Sequence, residues 1–120
     1  MKKDTRLILV VDDNSNVREV LVAVLESDGR EAFGASEGKT AIAYTREHSV
    51  ALLITDLIMP GQEGMETIRQ FVKEFPHIPI IAISGNPDYL PFAEALGAAV
   101  VLRKPIDPAD LLQTVRNLID

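Results

Sequence analysis

The sequence predicts an α/β fold in which five consecutive strand–helix units build one open parallel sheet. Two observations predict this class. Short apolar runs alternate with segments of helical period along the whole chain, which is typical of repeated βα units and unlike a helical bundle or a β-sandwich. The runs over residues 50–54 and 80–83 are apolar throughout, as expected for strands that are buried on both faces of a parallel sheet.

The predicted strands are the apolar runs that lie between turn signals. In chain order they cover residues 7–11, 31–35, 50–55, 78–84 and 99–103. The second is the least apolar. The fourth is apolar almost throughout, which favours a central position in the sheet.

The predicted helices are bounded by capping and stop residues. They run from an Asn14 or Asp13 cap to Gly29, from a Ser36 cap to Glu47, from Met65 to Phe75, from Asp88 to Leu96, and from Pro108 to Ile119. The fourth helix is short, and Pro91 is expected in its first turn, where a missing N–H costs little. Asp107 is expected to cap the fifth.

Length and composition limit the functions that the chain can have. It has 120 residues, of which 47% are hydrophobic, and no cysteine, so one domain with a continuous core is expected. The apolar runs are too short to cross a bilayer and no signal peptide is indicated, so we expect a cytoplasmic protein without a membrane partner. A net charge of −6 disfavours direct nucleic-acid binding. His48 and His77 are assigned no function.

Four of the five predicted strands end at residues whose side chains can bind cations or phosphoryl groups. Asp12 and Asp13 follow the first strand, Asp56 follows the third, Ser84 ends the fourth, and Lys104 follows the fifth. The carboxyl ends of strands in an open parallel sheet meet at one edge. We therefore expect one acidic pocket that contains a fixed cation.

The two adjacent carboxylates predict a metal site. Asp12 and Asp13 would repel each other unless a cation or fixed donors lay between them. Hard oxygen ligands suit Mg²⁺, which is commonly held by one or two carboxylates, waters and a phosphate oxygen. The alternative reading is that Asp13 only caps the first helix.

Asp56 is the candidate nucleophile, because a carboxylate can accept a phosphoryl group when a metal and a lysine neutralise the transition state. Lys104 is positioned to pair with it, and the peptide bond to Pro105 has a cis option. Ser84 offers a hydroxyl to a phosphoryl oxygen. Each residue has an ordinary alternative: a loop aspartate, a solvated lysine before a turn, or a serine at a strand end.

Taken together, these motifs resemble the receiver domain of two-component response regulators. The resemblance covers residues 1–120, including the segment Met59-Pro-Gly-Gln-Glu-Gly64, which is predicted to be a turn-rich loop after the third strand. It implies a flavodoxin-like (βα)5 three-layer sandwich with strand order 2-1-3-4-5. It also implies a single receiver domain, with no output domain in this chain.

The resemblance implies a role for each site residue. Asp56 would be the phosphoacceptor, Asp13 a direct Mg²⁺ ligand and Asp12 a ligand through water. Ser84 and Lys104 would hold the phosphoryl group, and the backbone carbonyl of Ile58 would complete the metal shell.

The implied function is a signalling switch and not an enzyme, apart from self-catalysed phosphotransfer and autodephosphorylation. Its partners would be a histidine kinase or phosphotransfer protein and an unknown downstream protein, and it would be a monomer or a weak homodimer.

Two features depart from the family pattern. Val101 occupies the position where the family often has Tyr or Phe, so rotation of a ring cannot be the output. The fourth helix is short and contains Pro91, so the neighbouring partner surface is expected to be atypical.

Two other classes match less well. An aspartate-nucleophile phosphatase has a second Asp two residues after its nucleophile at the end of the first strand, whereas Asp12 is followed by Asp13 and Asn14. A flavodoxin binds the FMN phosphate with a loop rich in Ser, Thr and Gly, whereas Asp13-Asn-Ser-Asn16 is acidic there.

Overall fold

The computed structural model describes residues 6–57 and 62–120, and it contains the predicted five strand–helix units. The strands are β1 (Ile8–Val11), β2 (Ala32–Ala35), β3 (Leu52–Asp56), β4 (Ile80–Ser84) and β5 (Val100–Arg103). The helices are α1 (Ser15–Ser27), α2 (Gly38–Glu47), α3 (Gln62–Glu74), α4 (Leu90–Leu96) and α5 (Pro108–Ile119), and a 3₁₀ turn (Pro87–Tyr89) precedes α4.

The strands form one parallel sheet in the order β2-β1-β3-β4-β5. This confirms the predicted α/β class and the order that the resemblance implied. Consecutive side chains of a strand point to opposite faces of the sheet, so each central strand contributes to two separate cores. The sheet is therefore the middle of three layers.

One core lies between the sheet and helices α2, α3 and α4. Leu9 of β1 and Leu53 of β3 pack there with Phe71 and Ile68 of α3. The other core lies beneath α1 and α5, and its buried members are Ile8, Val10, Leu21, Leu25, Leu52, Ile54, Ile81, Ile83, Leu111 and Val115. Burying a large apolar side chain of this kind contributes about 1.5–3 kcal/mol. These two cores hold the strand ends at fixed relative positions.

Helices α1 and α5 each begin directly after a residue whose polar side chain caps the helix. The Asn14 side chain accepts hydrogen bonds from the amides of Asn16 and Val17. Asn14 is thus the cap of α1, and the alternative that Asp13 caps this helix is wrong. Asp107 caps α5 through the amide of Ala109, as predicted.

Helices α2 and α3 begin at other residues than predicted. Helix α2 starts at Gly38, with Glu37 at the cap position and no side-chain capping bond, so the predicted Ser36 cap is wrong. A Cβ at Gly38 would overlap the Thr67 hydroxyl, which shows how closely α2 approaches α3. Helix α3 starts at Gln62 and not at Met65. Residues 58–61, which include the first half of the turn-rich segment, lie outside the described residues, and its second half is the first turn of α3.

The segment before β5 matches the prediction except at its start. Asn86 caps the 3₁₀ turn through the amide of Asp88, so α4 proper begins at Leu90 and not at Asp88. Pro91 lies in the first turn of α4, as predicted. Gly97 ends α4 with φ at +120°, a conformation that side chains other than glycine rarely adopt.

Candidate functional site

The carboxyl edge of the sheet brings the predicted site residues together. Asp12 follows β1, Asp56 is the last residue of β3, Ser84 is the last residue of β4, and Lys104 follows β5. Because β1, β3, β4 and β5 are consecutive neighbours in the sheet, their ends form one continuous row. Ile58, the remaining predicted ligand, lies outside the described residues.

Lys104 binds two buried carboxylates. Its Nζ donates to Asp56 Oδ2 at 2.7 Å and to Asp12 Oδ2 at 3.4 Å. Both carboxylate side chains are 1% exposed, whereas the lysine side chain is 24% exposed. The Lys104–Pro105 peptide bond is cis. The alternative reading of Lys104 as a solvated side chain is therefore wrong.

Three carboxylates share one small region. Oxygens of Asp12, Asp13 and Asp56 all lie within 4.8 Å of one another. Asp12 and Asp56 are buried and Asp13 is exposed. Carboxylate oxygens in this number fit Mg²⁺, which takes hard oxygen ligands and retains several waters. The donor set therefore suits the metal that the sequence predicts.

The charges of the pocket shift the acid–base equilibrium of Asp56. Burial raises the pKa of Asp56 to about 6, the hydrogen bond from Lys104 opposes this rise, and Asp12 adds to it. Burial lowers the pKa of Lys104, but its hydrogen bonds and charge interactions with Asp56 and Asp12 together outweigh burial, so the net shift is upward. The positive charge of Lys104 thus neutralises the two buried carboxylates, Asp12 and Asp56, only in part. This favours binding of a further cation.

Ser84 is buried, with 2% of its surface exposed. Its hydroxyl accepts a hydrogen bond from the Asn86 amide at 3.0 Å and donates one to the Asn86 carbonyl at 3.1 Å. The serine thus ends β4 and also shapes the turn that leads to the 3₁₀ segment.

Two glycines and a threonine near the carboxylates were not predicted from the sequence. Gly38, Gly64 and Thr67 line a cavity of about 10 Å³ beside Asp56. A Cβ at Gly64 would lie 2.8 Å from the Asp56 carbonyl oxygen, so this glycine lets α3 pack directly on the end of β3. A cavity of this size among the described residues admits about one water-sized group, and it is too small for a flavin ring.

Arg18 was also not predicted. It is half-buried in α1, and its guanidinium donates to the backbone carbonyl of Asp12 at 2.8 Å. The available signal was Gly34, because a glycine inside a strand often marks the close approach of another group.

Comparison with known proteins gives consistent matches. Residues 8–116 match the family described as response regulator receiver domain. Protein PilH of Pseudomonas aeruginosa is 30% identical over 93% of this chain and 96% of its own length. The CAI-1 autoinducer sensor kinase/phosphatase CqsS of Vibrio cholerae is 33% identical over 92% of this chain, which spans only 17% of that protein.

A solved structure supports the same match. The response regulator receiver protein from Pseudomonas putida superposes with a TM-score of 0.87 and is 34% identical, covering 97% of this chain and 99% of that one. Among the described residues, no helix is both long and apolar enough to cross a membrane.

Proposed function

The chain belongs to the response regulator receiver domain family, and we propose that Asp56 is the residue that accepts the phosphoryl group. Receiver domains are signalling switches that interact with histidine kinases or phosphotransfer proteins. The observation that carries the proposal is the contact at 2.7 Å between the Lys104 ammonium and Asp56, at the buried end of a central strand. Because of this contact, a fixed positive charge lies beside Asp56, the carboxylate that is also close to both Asp12 and Asp13.

In the proposed reaction, a carboxylate oxygen of Asp56 attacks the phosphorus atom of the donor. The bond between phosphorus and the donor nitrogen breaks, and its electron pair leaves with the histidine imidazole. Lys104 exchanges part of its contact with the free carboxylate for a contact with a phosphoryl oxygen. Because only the ionised carboxylate attacks, a pKa of about 6 leaves Asp56 largely reactive at neutral pH.

Asp12, Asp13 and Asp56 would hold Mg²⁺, with the carbonyl of Ile58 as a further proposed ligand. When bound, the ion supplies positive charge that neutralises the phosphoryl oxygens. The residues themselves impose the arrangement: Asp12 Oδ1 is fixed by the Asn14 amide at 2.9 Å, and its Oδ2 is fixed by Lys104. Asp13 is exposed, so it is the carboxylate that solvent reaches.

Ser84 is proposed to connect phosphorylation with the output surface. To bind a phosphoryl oxygen, its hydroxyl would give up the hydrogen bond that it donates to the Asn86 carbonyl. That change would loosen the backbone at Asn86, the residue whose side chain caps the 3₁₀ turn, and shift the segment from Gly85 to Leu96. Val101, like Tyr89 and Leu96, is partly buried against the core beneath α2, α3 and α4, and it has no ring that could report the change.

The chain is proposed to form a single receiver domain, whose only chemistry is transfer of the phosphoryl group to Asp56 and its later hydrolysis. PilH, at 96% coverage, is similar to this chain over nearly its whole length. CqsS carries the similar region as a small part of a longer sensor kinase/phosphatase.

The intact mass of the protein tests the assignment of Asp56. Incubation with acetyl phosphate and Mg²⁺ should add one phosphate to the wild-type protein and none to Asp56→Asn. Asp110→Asn, which alters an exposed acid in the first turn of α5, is the matched control and should be labelled like the wild type. Full labelling of Asp56→Asn would reject the proposal.

A further inference from the structure

Arg18 lies close to the acidic pocket but points at backbone and not at a carboxylate. Its guanidinium donates to the carbonyl oxygen of Asp12 at 2.8 Å. This carbonyl belongs to the peptide group that joins Asp12 to Asp13. Arg18 therefore contacts the linkage between the two carboxylates that are proposed to bind the metal.

The peptide group between Asp12 and Asp13 lies where the regular hydrogen bonds between β1 and β2 end. The last paired residues of β1 and β2 are Val11 and Ala35, and the Asp12 amide still donates to the Ala35 carbonyl at 3.1 Å. The next carbonyl, that of Asp12, receives the charged donor from Arg18. Hydrogen bonds from a guanidinium are stronger and more directional than bonds between neutral groups. Arg18 thus extends the fixed geometry of the strand by one peptide group.

Gly34 of β2 leaves space for the Arg18 side chain, because glycine has no Cβ. A Cβ built at Gly34 would lie 3.0 Å from both Cγ and Cδ of Arg18, a distance at which one of the two groups has to move. Among the described residues, the glycines with positive φ are Gly29 and Gly97, so Gly34 is not required by its backbone conformation. The feature that distinguishes this position is the arginine stem that crosses it.

We propose that Arg18 is a positioning residue for Asp12 and Asp13, the adjacent aspartates of the metal site. By holding the peptide group between Asp12 and Asp13, it sets the direction in which the exposed Asp13 carboxylate meets the cation, while Asn14 and Lys104 separately hold the Asp12 carboxylate. Residues that orient metal ligands from behind commonly change metal affinity by about 10–100-fold. This inference rests on the proposed Mg²⁺ site.

Electrostatics alone makes the opposite prediction. A fixed guanidinium near the site repels a divalent cation, so removing its charge would strengthen Mg²⁺ binding. If Arg18 orients the ligands, its removal weakens binding despite the lost repulsion. The sign of the change in affinity therefore separates positioning from a general charge effect.

The test is Mg²⁺ titration of the metal-free protein, followed by calorimetry and by the amide NMR signals of Asp13 and Asn14. Arg18→Met keeps most of the stem and should raise the Mg²⁺ dissociation constant about tenfold. Arg69→Met removes an exposed arginine of α3 that pairs with Glu66, and it should leave the constant unchanged. Without metal, the Asp13 amide should exchange with solvent faster in Arg18→Met than in the wild type.

Gly34→Val provides an independent variant. It keeps the guanidinium, obstructs the stem, and introduces a β-branched residue that strands accommodate well, so it should also weaken Mg²⁺ binding. Wild-type affinity or tighter binding in Arg18→Met would overturn the inference and leave the metal site standing. A wild-type protein that binds no Mg²⁺ would overturn the metal site and the inference together.

Discussion

Two clusters of charged residues lie at opposite edges of the sheet, and they are built on different principles. At the carboxyl edge, the buried carboxylates of Asp12 and Asp56 share one ammonium group, that of Lys104. At the amino edge, Asp28 and Asp120 contact the three arginines Arg6, Arg30 and Arg116, mostly on the exposed surface. The first cluster has more carboxylates than ammonium groups, whereas the second has three arginines for two carboxylates.

The pKa shifts of the two clusters have opposite signs. Burial and the neighbouring Asp12 raise the pKa of Asp56 to about 6 in spite of Lys104. Hydrogen bonds from Arg30 lower the pKa values of Asp28 and Asp120. Folding therefore disfavours the charged form of Asp56 and favours the charged forms of the other two acids. The cluster at the carboxyl edge suits ligand binding. The cluster at the amino edge joins the end of α5 to the segment before β2 by ion pairs.

The largest effect on stability is expected from removal of the Lys104 ammonium group at the carboxyl edge. Lys104→Met removes the ammonium group that both buried carboxylates contact and should destabilise the metal-free protein at neutral pH by about 1–3 kcal/mol, less than for a fully buried pair because the lysine is partly exposed. Urea denaturation in EDTA measures this, with Lys39→Met, at an exposed position of α2, as the control.

A double variant sharpens that result. If the loss comes from repulsion between the Asp12 and Asp56 carboxylates, adding Asp56→Asn to Lys104→Met should restore much of the stability. Equal losses in the single and double variants would mean that the lysine acts through packing of its stem and not through its charge.

The opposite sign is expected for Asp56→Asn alone. Its pKa of about 6 in the folded protein exceeds the ordinary value of 3.8. The stability contributed by the neutral acid is therefore complete below pH 3.8 and is lost as the pH rises through about 6. Asp56→Asn should stabilise the metal-free protein by about 1–3 kcal/mol at pH 7.5 and much less at pH 4.5. Denaturation curves at both pH values that show no pH-dependent gain would contradict the account of this pocket.

Removal of a charge from the amino edge should be destabilising, and its effect should be smaller. Arg30→Met takes away a partner of both Asp28 and Asp120. The pKa values of these carboxylates are lowered, so the stability that they contribute is present above pH 3.8 and is lost in more acidic solution. The melting temperature of Arg30→Met should be lower at pH 7, and the difference from the wild type should close at low pH. A difference that persists in acid would indicate lost packing.

The smallest change in stability is expected for Asp13→Asn, because its exposed carboxylate is screened by solvent. The protein without metal should melt slightly higher, since one charge of the acidic cluster is gone, and no helix cap is lost because Asn14 holds that position. Mg²⁺ affinity should nevertheless fall clearly. Unchanged affinity in a calorimetric titration would exclude Asp13 as a ligand.

The order of strands and helices could be predicted from the sequence, because the spacing of apolar residues and the positions of turn residues are local properties of the chain. Gly97 and Asp107, for example, end α4 and begin α5 as expected. The start of α3 was placed too late because Gly64 was taken as a turn residue. It lies inside the helix, where its missing side chain makes room for the Asp56 carbonyl. A glycine needed for close packing and one needed for a turn are the same letter in a sequence.

The site shows the same limit. Asp12, Asp13, Asp56, Ser84 and Lys104 could be predicted because each stands at or next to a strand end, and strand ends meet in a parallel sheet. Arg18 was not predicted, since its contact is with a backbone carbonyl that every residue possesses, and Gly34 indicates a close approach without saying which residue makes it. Nor did the sequence show that the Ser84 hydroxyl already binds the Asn86 backbone.

The most direct test of the account is to locate the phosphoryl group chemically in the unaltered protein. Borohydride reduces the acyl phosphate of an aspartate to an alcohol, so protein treated with acetyl phosphate and Mg²⁺ and then with borohydride carries homoserine at the site of modification. Peptide mass spectrometry should find homoserine at position 56 and at neither position 12 nor position 13. Homoserine at either of the other two positions, with none at 56, would contradict the central claim that the buried, lysine-bound carboxylate is the acceptor.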